Sequence, residues 1–541
     1  MAAGLGELTV SDFDTHSGGQ SGRRSTWVGY LVALAACVVL YGVTAAPDII
    51  WQDSGMAILR AWRGDIAGWL GLALSHPSYY LPAQLLVKLP LGEPAWRLNL
   101  FSALCASVAV ANCWLLIRRL TGVSAGAAVG AAALAVSHTF WWHATVAEVY
   151  APAAAGMTGE WLLLLAYMRG GQLVWLALLA VLNGWDVANH MLCAVPTIGY
   201  VAILAYRTRG GRCPARHWLI AAICWLGGFG PMLWLMVGQF WAEQSVADVF
   251  RSLLFGGGSG SSGYSDAVLN LRVSGRHLIL SAEYLLLNYP TPIGLLAVAG
   301  LITARRRAAL PTAMRRLLIG LLIAFGLFAV RYNVPDWLVF FWPFYIVLSI
   351  FIGLGATWFL LGARRWWMPV TLCVALAPAA VYALLPGVAR NWQVNLSIGR
   401  SVPYRDGYHY FLQPWKTGYH GARRFGVEAM AVAGPDGVLI ADSTILPVLK
   451  YLQEVNGLGG DVTVQGFADH DFYGPAAIDG QTIDSALRSG RFVGVCSDHP
   501  TYVPHWLSEA ARRRPGARFS LRRVGVIYQV TLRGVGSFQS G

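Results

Sequence analysis

The stretch Trp51-Gln52-Asp53-Ser54-Gly55 directly follows the first long apolar segment of the chain, and His76-Pro77 lies in the same loop. An acid placed where lipid gives way to water is costly unless it is paired or functional. Asp53 is therefore the first candidate for a catalytic residue. The rest of the chain can be tested by asking which residues it delivers to Asp53.

The composition on either side of this stretch indicates a membrane protein. Of the 541 residues, 56% are hydrophobic and 12% are charged, whereas ordinary soluble chains carry about 25% charged residues. The net charge of +13 comes largely from arginines in short clusters between apolar segments. The positive-inside rule explains these clusters without a nucleic-acid partner. The eight cysteines show no CxxC or Cys/His spacing, so neither a disulfide framework nor a structural metal is predicted.

Apolar runs long enough to cross a bilayer predict a polytopic α-helical protein with about 11 transmembrane helices. The runs lie at 26–46, 97–117, 123–141, 150–168, 172–188, 190–206, 217–241, 283–303, 316–330, 337–362 and 368–386. Arginines collect at alternate ends of these runs, which predicts a cytoplasmic side there and a cytoplasmic tail over residues 1–25. The membrane domain is predicted to span residues 26–386.

The opposite, outer side receives most of the polar residues that are suited to chemistry. These are Asp53, His76, His138, His143, Glu148, Asp186, His190 and Asp336. Several separate turns that deliver acids and imidazoles to one face predict a site at the outer lipid–water boundary. Arg97 and Arg331 also lie on this side, against the positive-inside trend, and are predicted to bind phosphate.

Three further segments shape the predicted architecture. The loop 47–96 has apolar residues at helical spacing beside charged ones, which predicts an interfacial amphipathic helix. The glycine-rich stretch 256–263 lacks the Lys-Ser/Thr of a phosphate-binding loop, and both a flexible lid and a simple linker stay open. From residue 387 the composition is that of a soluble protein, with strands predicted at 437–441, 461–465, 491–495 and 524–532. Residues 387–541 are therefore predicted to form a small external α/β domain.

The polar residues favour a reaction with a lipid-linked donor, because no nucleotide-binding motif is present. Asp53 would act as general base, with His76 and His190 as partners for phosphate or hydroxyl groups. Structural roles stay open for two acids: Glu148 pairing with Arg97, and Asp186 binding His190 across one helical turn. The first loop has no Asp-x-Asp, so no cofactor or required metal is predicted. Three acids, Asp53, Glu148 and Asp336, are nonetheless able in principle to converge on a divalent ion.

Several motifs occur in one order along nearly the whole chain. They are Asp53-Ser54-Gly55, His76-Pro77, Ala95-Trp96-Arg97-Leu98-Asn99-Leu100-Phe101-Ser102-Ala103, Ser137-His138-Thr139-Phe140-Trp141 with Ala147-Glu148-Val149-Tyr150, Asn189-His190, Tyr332-Asn333-Val334-Pro335-Asp336 with Pro343 and Gly353-Leu354-Gly355, and Tyr451-Leu452-Gln453 with Asp461-Val462. Together they resemble the glycosyltransferase family 117 membrane proteins, formerly domain of unknown function family 2723. That family belongs to the GT-C superfamily and is related to the vertebrate transmembrane protein O-mannosyltransferase.

This resemblance implies a GT-C type fold with an early catalytic acid in the first external loop and a dolichyl- or polyprenyl-phosphate sugar as donor. Asp53 corresponds to the acid of the family's Asp-Ser-Gly-Glu pattern. Met56 stands where the family usually has the Glu. The family's His-Pro-Pro-Gly-Tyr-Pro reads here as His76-Pro77-Ser78-Tyr79-Tyr80-Leu81-Pro82.

The predicted function is inverting transfer of a sugar, mannose among the candidates, to an acceptor on the periplasmic or luminal face. The catalytic residue is Asp53, and the predicted donor- or acceptor-binding residues are His76, Arg97, Glu148, Tyr150, Asn189, His190, Arg331 and Asp336. The predicted partners are a lipid-phosphate-linked sugar, a protein or glycan acceptor and membrane lipid. The predicted location is the bacterial inner membrane, with the C-terminal domain in the periplasm.

Two alternatives from other classes stay open. A transporter or flippase for a lipid-linked sugar would need repeated halves and helices broken at mid-membrane, and the sequence shows no internal repeat. A catalytically silent envelope assembly protein is the other alternative, and Met56 is the residue that favours it, because a lost carboxylate near the reacting groups weakens a site.

Overall fold

The computed structural model describes residues 20–242, 244–257, 263–306, 310–396, 402–466 and 480–533. Most of the predicted cytoplasmic tail, residues 1–19, lies outside this range. So does the centre of the glycine-rich stretch, residues 258–262.

Helices dominate the chain up to residue 391. They are α1 (Gln20–Thr44), α2 (Gln52–Arg63), α3 (Pro77–Val87), α4 (Pro94–Thr121), α5 (Ser124–Ala135), α6 (His138–Ala144), α7 (Tyr150–Gly170), α8 (Leu173–Asn189), α9 (Ala194–Arg209), α10 (Ala215–Gly228), α11 (Gly230–Trp241), α12 (Val246–Phe255), α13 (Ser265–Val268), α14 (Gly275–Asn288), α15 (Leu295–Arg306), α16 (Thr312–Arg331), α17 (Trp342–Leu361), α18 (Trp367–Leu376) and α19 (Pro378–Asn391). The last of these ends beyond the predicted boundary at residue 387.

The chain is a polytopic helical membrane protein. Within the described residues, six helical segments are long and apolar enough to cross a membrane, or up to eight if each of two bent pairs is one span. The pairs are α10 with α11, bent by 68°, and α14 with the helix after Pro292, bent by 106°. The predicted number of about 11 transmembrane helices is not confirmed, partly because breaks shorten some of the predicted runs.

Two of these breaks have local causes. The predicted run 123–141 is divided where Ser137 adopts an extended conformation between α5 and α6. The predicted run 217–241 is divided at Phe229, where Pro231 starts the next helix. Pro is favoured in the first turn of a helix because its missing N–H has no partner there in any case. Apolar length alone therefore does not reveal either break.

Close helix packing builds the main core of the membrane part. Helix α17 is buried along most of its length. A Cβ atom added to Gly300 of α15 would lie 1.9 Å from the carbonyl oxygen of Phe351, and one added to Gly355 would lie 1.9 Å from that of Leu296. The backbones of α15 and α17 thus touch, as is common where small residues line membrane helix interfaces.

The charge segregation read from the sequence has a counterpart in the structure. At one end of the bundle, the Arg169 side chain donates to the carbonyl of Arg119 at 2.8 Å, and the Arg207 side chain donates to that of Met168 at 3.2 Å. These arginines lie at the ends of α4, α7 and α9. The assignment of that end to the cytoplasm stays a prediction.

The C-terminal part contains a five-stranded sheet. Its elements are α20 (Gly407–Leu412), α21 (Gly421–Ala433), β1 (Val438–Ala441), α22 (Leu446–Glu454), β2 (Thr463–Gly466), α23 (Gly480–Arg488), β3 (Val493–Val495), α24 (Ser508–Ala511), β4 (Phe519–Val524) and β5 (Ile527–Leu532). The strand order is β2-β1-β3-β5-β4. The first three strands are parallel and β5 is antiparallel to both β3 and β4. Most of β4 was missed by the sequence prediction.

A second core joins this part to the loop that follows α1. Ala57, Ile58 and Ala61 of α2 pack with residues of α21 and α22. Outside that core, Arg63 forms an ion pair with Glu454. The amphipathic helix predicted in loop 47–96 is therefore present, but its apolar face packs against the C-terminal part. That residues 387–541 form an external domain stays a prediction. In the shared core, this part of the chain packs against apolar residues between positions 46 and 61.

Candidate active site

The turn that carries Asp53 is built by both parts of the chain. Trp51 is buried, and its indole N–H donates to the hydroxyl of Tyr419 at 2.6 Å. Gln52 has a left-handed backbone with φ of 58°, and its N–H donates to the carbonyl of Thr444 at 3.1 Å. A non-glycine residue in this conformation persists only when its surroundings hold it. The C-terminal part thus fixes the position of Asp53.

Gly55 shows how tightly this turn is wound. A Cβ atom added there would lie 2.5 Å from the carbonyl oxygen of Ile50 and 3.2 Å from Cβ of Pro447. Contacts shorter than 3.0 Å require the backbone to shift, because neither atom belongs to the end of a flexible side chain. A glycine is therefore required for the backbone after Asp53 to pass this close.

The carboxyl groups of Asp53, Glu148 and Asp336 lie near one another, at the end of the bundle where the Asp53 turn lies. Ser54 Oγ donates to Glu148 Oε1 at 3.0 Å. Asp53 and Asp336 are exposed, yet they are close enough for the charge of Asp336 to act on Asp53. Although Asp53 keeps access to solvent, the surrounding protein removes much of its hydration. This burial, together with repulsion from Asp336, raises the pKa of Asp53 to about 7.

Glu148 is half-buried and more strongly perturbed. Burial raises its pKa well above the usual value for a glutamic acid, and the charge of Asp53 raises it further. The hydrogen bond from Ser54 acts in the opposite direction. The site therefore combines an Asp53 that is close to half-ionised at neutral pH with a Glu148 whose pKa is raised well above its usual value.

Two imidazoles lie in parallel next to the acids. The rings of His76 and His190 stack with their centroids 5.7 Å apart. His76 Nδ1 lies 2.5 Å from the carbonyl of Asn189, and a carbonyl only accepts, so Nδ1 carries the proton and Nε2 is an acceptor. His190 Nδ1 accepts from the N–H of Leu192 at 3.2 Å, so its Nε2 is the donor.

Neither imidazole is charged at neutral pH. Burial lowers the pKa of His76 to about 4 and that of His190 to about 3. Each ring therefore offers one neutral nitrogen to a bound group and supplies no positive charge for a phosphate.

Tyr150 connects the turn at Glu148-Val149 with the end of α8 at Asn189-His190. Its ring centroid lies 4.7 Å from that of His143, 5.5 Å from that of His190 and 6.3 Å from that of Phe340. Asn189 Nδ2 donates to the carbonyl of Val149 at 3.1 Å. The structure thus brings together the predicted residues Asp53, His76, Glu148, Tyr150, Asn189, His190 and Asp336.

The two predicted phosphate-binding arginines are engaged elsewhere. Arg97 donates to the carbonyls of Val87 at 2.7 Å and Leu91 at 3.3 Å. Arg331 donates to the carbonyls of Val268 and Asn270. Among the described residues, neither arginine forms an ion pair with Asp53, Glu148 or Asp336. The pairing of Glu148 with Arg97 that was left open is therefore not seen. Their role in phosphate binding stays a prediction.

The side chains of Asp186 and His190, for which a structural pair was left open, do not bind each other. The carboxyl group of Asp186 is hydrogen-bonded to that of Glu160 on α7. His190 meets Asp186 only through its backbone N–H, which donates to the Asp186 carbonyl at 2.8 Å as helix α8 ends. The spacing of four residues is thus a helix-end contact, because the His190 backbone is extended and turns the ring toward His76.

Arg405 is a functional candidate that the sequence did not reveal. It is buried, and its Nη2 donates to Oε1 of Gln52 at 3.1 Å, next to Asp53. Its guanidinium lies 5.0 Å from the ring centroid of Tyr410 and 4.8 Å from that of Phe411. No motif marks this arginine, since the contact joins residues 353 positions apart.

The acids do not form a recognisable metal centre. Within the described ranges, no group of three His, Cys, Asp or Glu side chains has the arrangement that would hold a metal ion. Asp53, Glu148 and Asp336 influence one another through space without meeting that geometry.

Comparison with known proteins addresses the family resemblance. Residues 72–211 match the family model described as the protein O-mannosyl-transferase TMEM260 N-terminal domain. The fold resembles that of ArnT from Cupriavidus metallidurans, solved bound to undecaprenyl phosphate, with a TM-score of 0.57 and 14% identity. This similarity covers 93% of the chain and 97% of ArnT.

Two more solved structures are similar at a lower level. Arabinofuranosyltransferase AftD from mycobacteria matches with a TM-score of 0.45 and 16% identity over 93% of this chain and 40% of AftD. The oligosaccharyltransferase of Archaeoglobus fulgidus matches with a TM-score of 0.47 and 11% identity over 90% of this chain and 70% of that enzyme. The resemblance read from the motifs is thus confirmed: the chain is an integral membrane protein whose residues 72–211 are similar to the TMEM260 N-terminal domain and whose fold is similar to that of ArnT.

Proposed function

We propose that this protein is a membrane glycosyltransferase that takes a sugar from a polyprenyl- or dolichyl-phosphate donor and transfers it to an acceptor at the outer membrane face. The observation that carries the proposal is the state of Asp53. It is an exposed acid with a pKa raised to about 7, in a turn held rigid by Gln52 and Thr444. A base is most effective when its pKa lies near the working pH.

The proposed reaction is a single displacement. Asp53 accepts the proton of an acceptor hydroxyl as the hydroxyl oxygen attacks the anomeric carbon of the donor sugar. The bond between that carbon and the phosphate oxygen breaks, and the lipid phosphate leaves with the bonding electron pair. Attack opposite the leaving group inverts the anomeric configuration. His76 and His190, each neutral, are proposed to orient hydroxyl or phosphate oxygens through their Nε2 atoms.

Two neighbours of Asp53 support this assignment. Glu148, held by Ser54, is proposed to hydrogen-bond the sugar in place of the carboxylate that is absent at Met56. Arg405 is a buried cation whose Nη2 donates to Gln52, next to Asp53. ArnT, which shares this fold, was solved with undecaprenyl phosphate, and the family model is that of a protein O-mannosyl-transferase. The first supports a lipid-phosphate donor, and the second makes mannose the first sugar to test.

The test uses purified protein in lipid nanodiscs with a panel of polyprenyl-phosphate sugars, mannose included. Wild type should release the lipid phosphate, and Asp53→Asn should lose at least about 100-fold in rate, as expected for removal of a general base. Asp461→Asn is the matched control, because this exposed acid lies in the loop before β2, outside the proposed site. Equal rates for wild type and Asp53→Asn would refute the role of Asp53.

A lipid-linked sugar transporter is the second candidate, and the two bent helix pairs favour it. Helices broken within the membrane are typical of transporter binding sites. The same nanodisc protein, reconstituted into vesicles with the donor in one leaflet, separates the two candidates. Donor movement without release of lipid phosphate would support transport and contradict the transferase.

A further inference from the structure

The end of the external loop between α11 and α14 is fastened to the membrane part by a reciprocal set of hydrogen bonds. Arg331, the last residue of α16, donates from Nη1 to the carbonyls of Val268 and Asn270, the second at 3.0 Å. Asn270 Nδ2 donates back to the carbonyl of Arg331 at 2.7 Å. Asn270 also bonds both the N–H and the carbonyl of Arg272, at 2.9 Å each. The segment 268–272 is thus held by a latch made of Arg331 and Asn270.

Tyr264 lies four residues before the latched segment. The carbonyl of Tyr264 accepts from the N–H of Val268 at 2.9 Å, which ties it to the latch through the single turn of α13. Its own N–H donates to the carbonyl of Phe255 at 2.7 Å, at the end of α12. Tyr264 therefore has little backbone freedom while the latch is closed.

Two contacts place the backbone around Tyr264 at the edge of the site. Gly257, just after the Phe255 that accepts from Tyr264, donates its N–H to the carbonyl of Leu70 at 2.6 Å, in the loop that leads to His76. Tyr332, next to Arg331, has its ring centroid 4.6 Å from that of Phe340, which also contacts Tyr150. Tyr264 is half-buried, and burial followed by the charges of Asp336 and Asp53 raises the pKa of its hydroxyl, which therefore stays protonated. Burial, followed by the charges of Asp336 and Tyr264, also raises the pKa of Tyr332, which follows Arg331. The loop between α11 and α14 thus adds one neutral, half-buried aromatic ring to the site.

We propose that Tyr264 recognises the sugar ring at the Asp53 site and that Arg331 and Asn270 are positioning residues that hold Tyr264 there. A phenol suits a pyranose, because its face packs on the apolar C–H face of the ring and its O–H donates to a sugar hydroxyl. The inference rests on the proposed function, since it names the group that Tyr264 would contact. It replaces the phosphate-binding role predicted for Arg331, whose Nη1 is occupied by two carbonyls.

Kinetics distinguish the latch from a phosphate ligand. Tyr264→Ala should raise KM for the sugar donor about tenfold and leave kcat within about threefold, the effect of one lost hydrogen bond and ring contact. Arg331→Gln and Asn270→Ala should reproduce this change. Each of them combined with Tyr264→Ala should be no worse than Tyr264→Ala alone, because residues that act through one group are not additive. Effects that multiply, or a normal KM in Asn270→Ala, would overturn the latch.

Arg272→Gln is the matched control, because it removes the same charge from an exposed residue of the same segment. It should leave KM unchanged, whereas a tenfold rise would show that loop charge alone matters and would overturn the proposal. Tyr264→Phe separates the two contacts, since it keeps the ring and loses the hydroxyl. A KM between those of wild type and Tyr264→Ala is expected, and a KM equal to that of wild type in both variants overturns recognition by Tyr264.

A second measurement needs no turnover. The variant Tyr264→Cys should react with an impermeant maleimide about tenfold faster in the Arg331→Gln background than with Arg331 intact, because loss of the latch exposes the segment. The unsubstituted protein, with its eight native cysteines, gives the background rate. Equal rates in the two backgrounds overturn the latch. A wild type inactive on every donor instead refutes the proposed function, and with it the recognition role, while the maleimide result stands separately.

Discussion

Two groups of acids occur in this protein, and their surroundings are opposite. Glu160 and Asp186 are buried between α7 and α8, hydrogen-bonded to each other, and Glu160 Oε2 accepts from Tyr200 at 2.7 Å and from Asn183 at 3.2 Å. Asp53, Glu148 and Asp336 are half-buried or exposed, and Glu148 accepts a hydrogen bond from Ser54.

The difference separates structure from function. A hydrogen bond between two carboxyl groups needs one shared proton, and Tyr200 and Asn183 supply two further donors to Glu160 from within the protein. Such a network stabilises one arrangement of helices and offers nothing to a substrate. The Asp53 group keeps hydrogen-bonding capacity toward solvent, and its pKa values are raised. Groups left in this state are typical of functional sites.

The largest expected effect breaks the buried pair. Glu160→Ala leaves Tyr200, Asn183 and Asp186 without their common partner, so we expect a loss of about 3 kcal/mol in the free energy of unfolding. Denaturant titration in detergent measures this loss. Transfer activity per folded molecule should stay near that of wild type. Full stability together with lost transfer would contradict the structural assignment of the pair.

The next prediction adds one methyl group beside each set of acids. A Cβ atom at Gly156 would lie 1.8 Å from Oδ2 of Asp186, and one at Gly55 would lie 2.5 Å from the carbonyl oxygen of Ile50. Overpacking of this kind costs about 2 kcal/mol. We expect Gly156→Ala to lower the unfolding free energy by that amount and Gly55→Ala to lower the transfer rate by about 30-fold. The unfolding free energy and the transfer rate are measured for each variant. If Gly156→Ala and Gly55→Ala lost the same amount of stability and of rate, the two groups of acids would not differ in role.

These two sets were not equally visible in the sequence. Asp53, Glu148, Tyr150, Asn189-His190 and Asp336 belong to short motifs that come to one end of the bundle, so their convergence follows from the alternation of membrane spans. Asp186 was also assigned to the outer end, and the pairing with His190 that was left open for it does not form. Its true partner, Glu160, lies in the middle of a predicted span, where apolar periodicity gives no sign of a facing acid.

The contribution of the C-terminal part was hidden for a different reason. Thr444, Tyr419 and Arg405 act on the Asp53 turn across more than 350 residues of chain. Local patterns predict helices and strands but not which of them pack together. Likewise, Arg331 was predicted from its charge, whereas its carbonyl contacts depend on the path of the loop that follows α12.

The third prediction concerns pH. Repulsion from Asp336 raises the pKa of Asp53, so Asp336→Asn should lower that pKa. The ionised base is present above its pKa, and kcat/KM of wild type should therefore rise with pH through about 7. In Asp336→Asn this acidic limb should move to lower pH. Asp461→Asn should leave the limb in place, and an unmoved limb in Asp336→Asn would show that the two acids are not coupled.

The smallest expected effects come from removing one hydrogen bond from each set. Ser54→Ala deletes the donor to Glu148, and Tyr200→Phe deletes a donor to Glu160. A single hydrogen bond is worth about 1 kcal/mol, which corresponds to roughly fivefold in a rate or an equilibrium constant. Ser54→Ala should lose that factor in transfer rate with little change in stability, because Glu148 keeps access to solvent. Tyr200→Phe should lose it in stability alone, because Glu160 has no solvent to turn to. The two variants differ in where the acid finds a replacement partner, so an exchange of their effects would reverse the roles assigned to the two groups of acids.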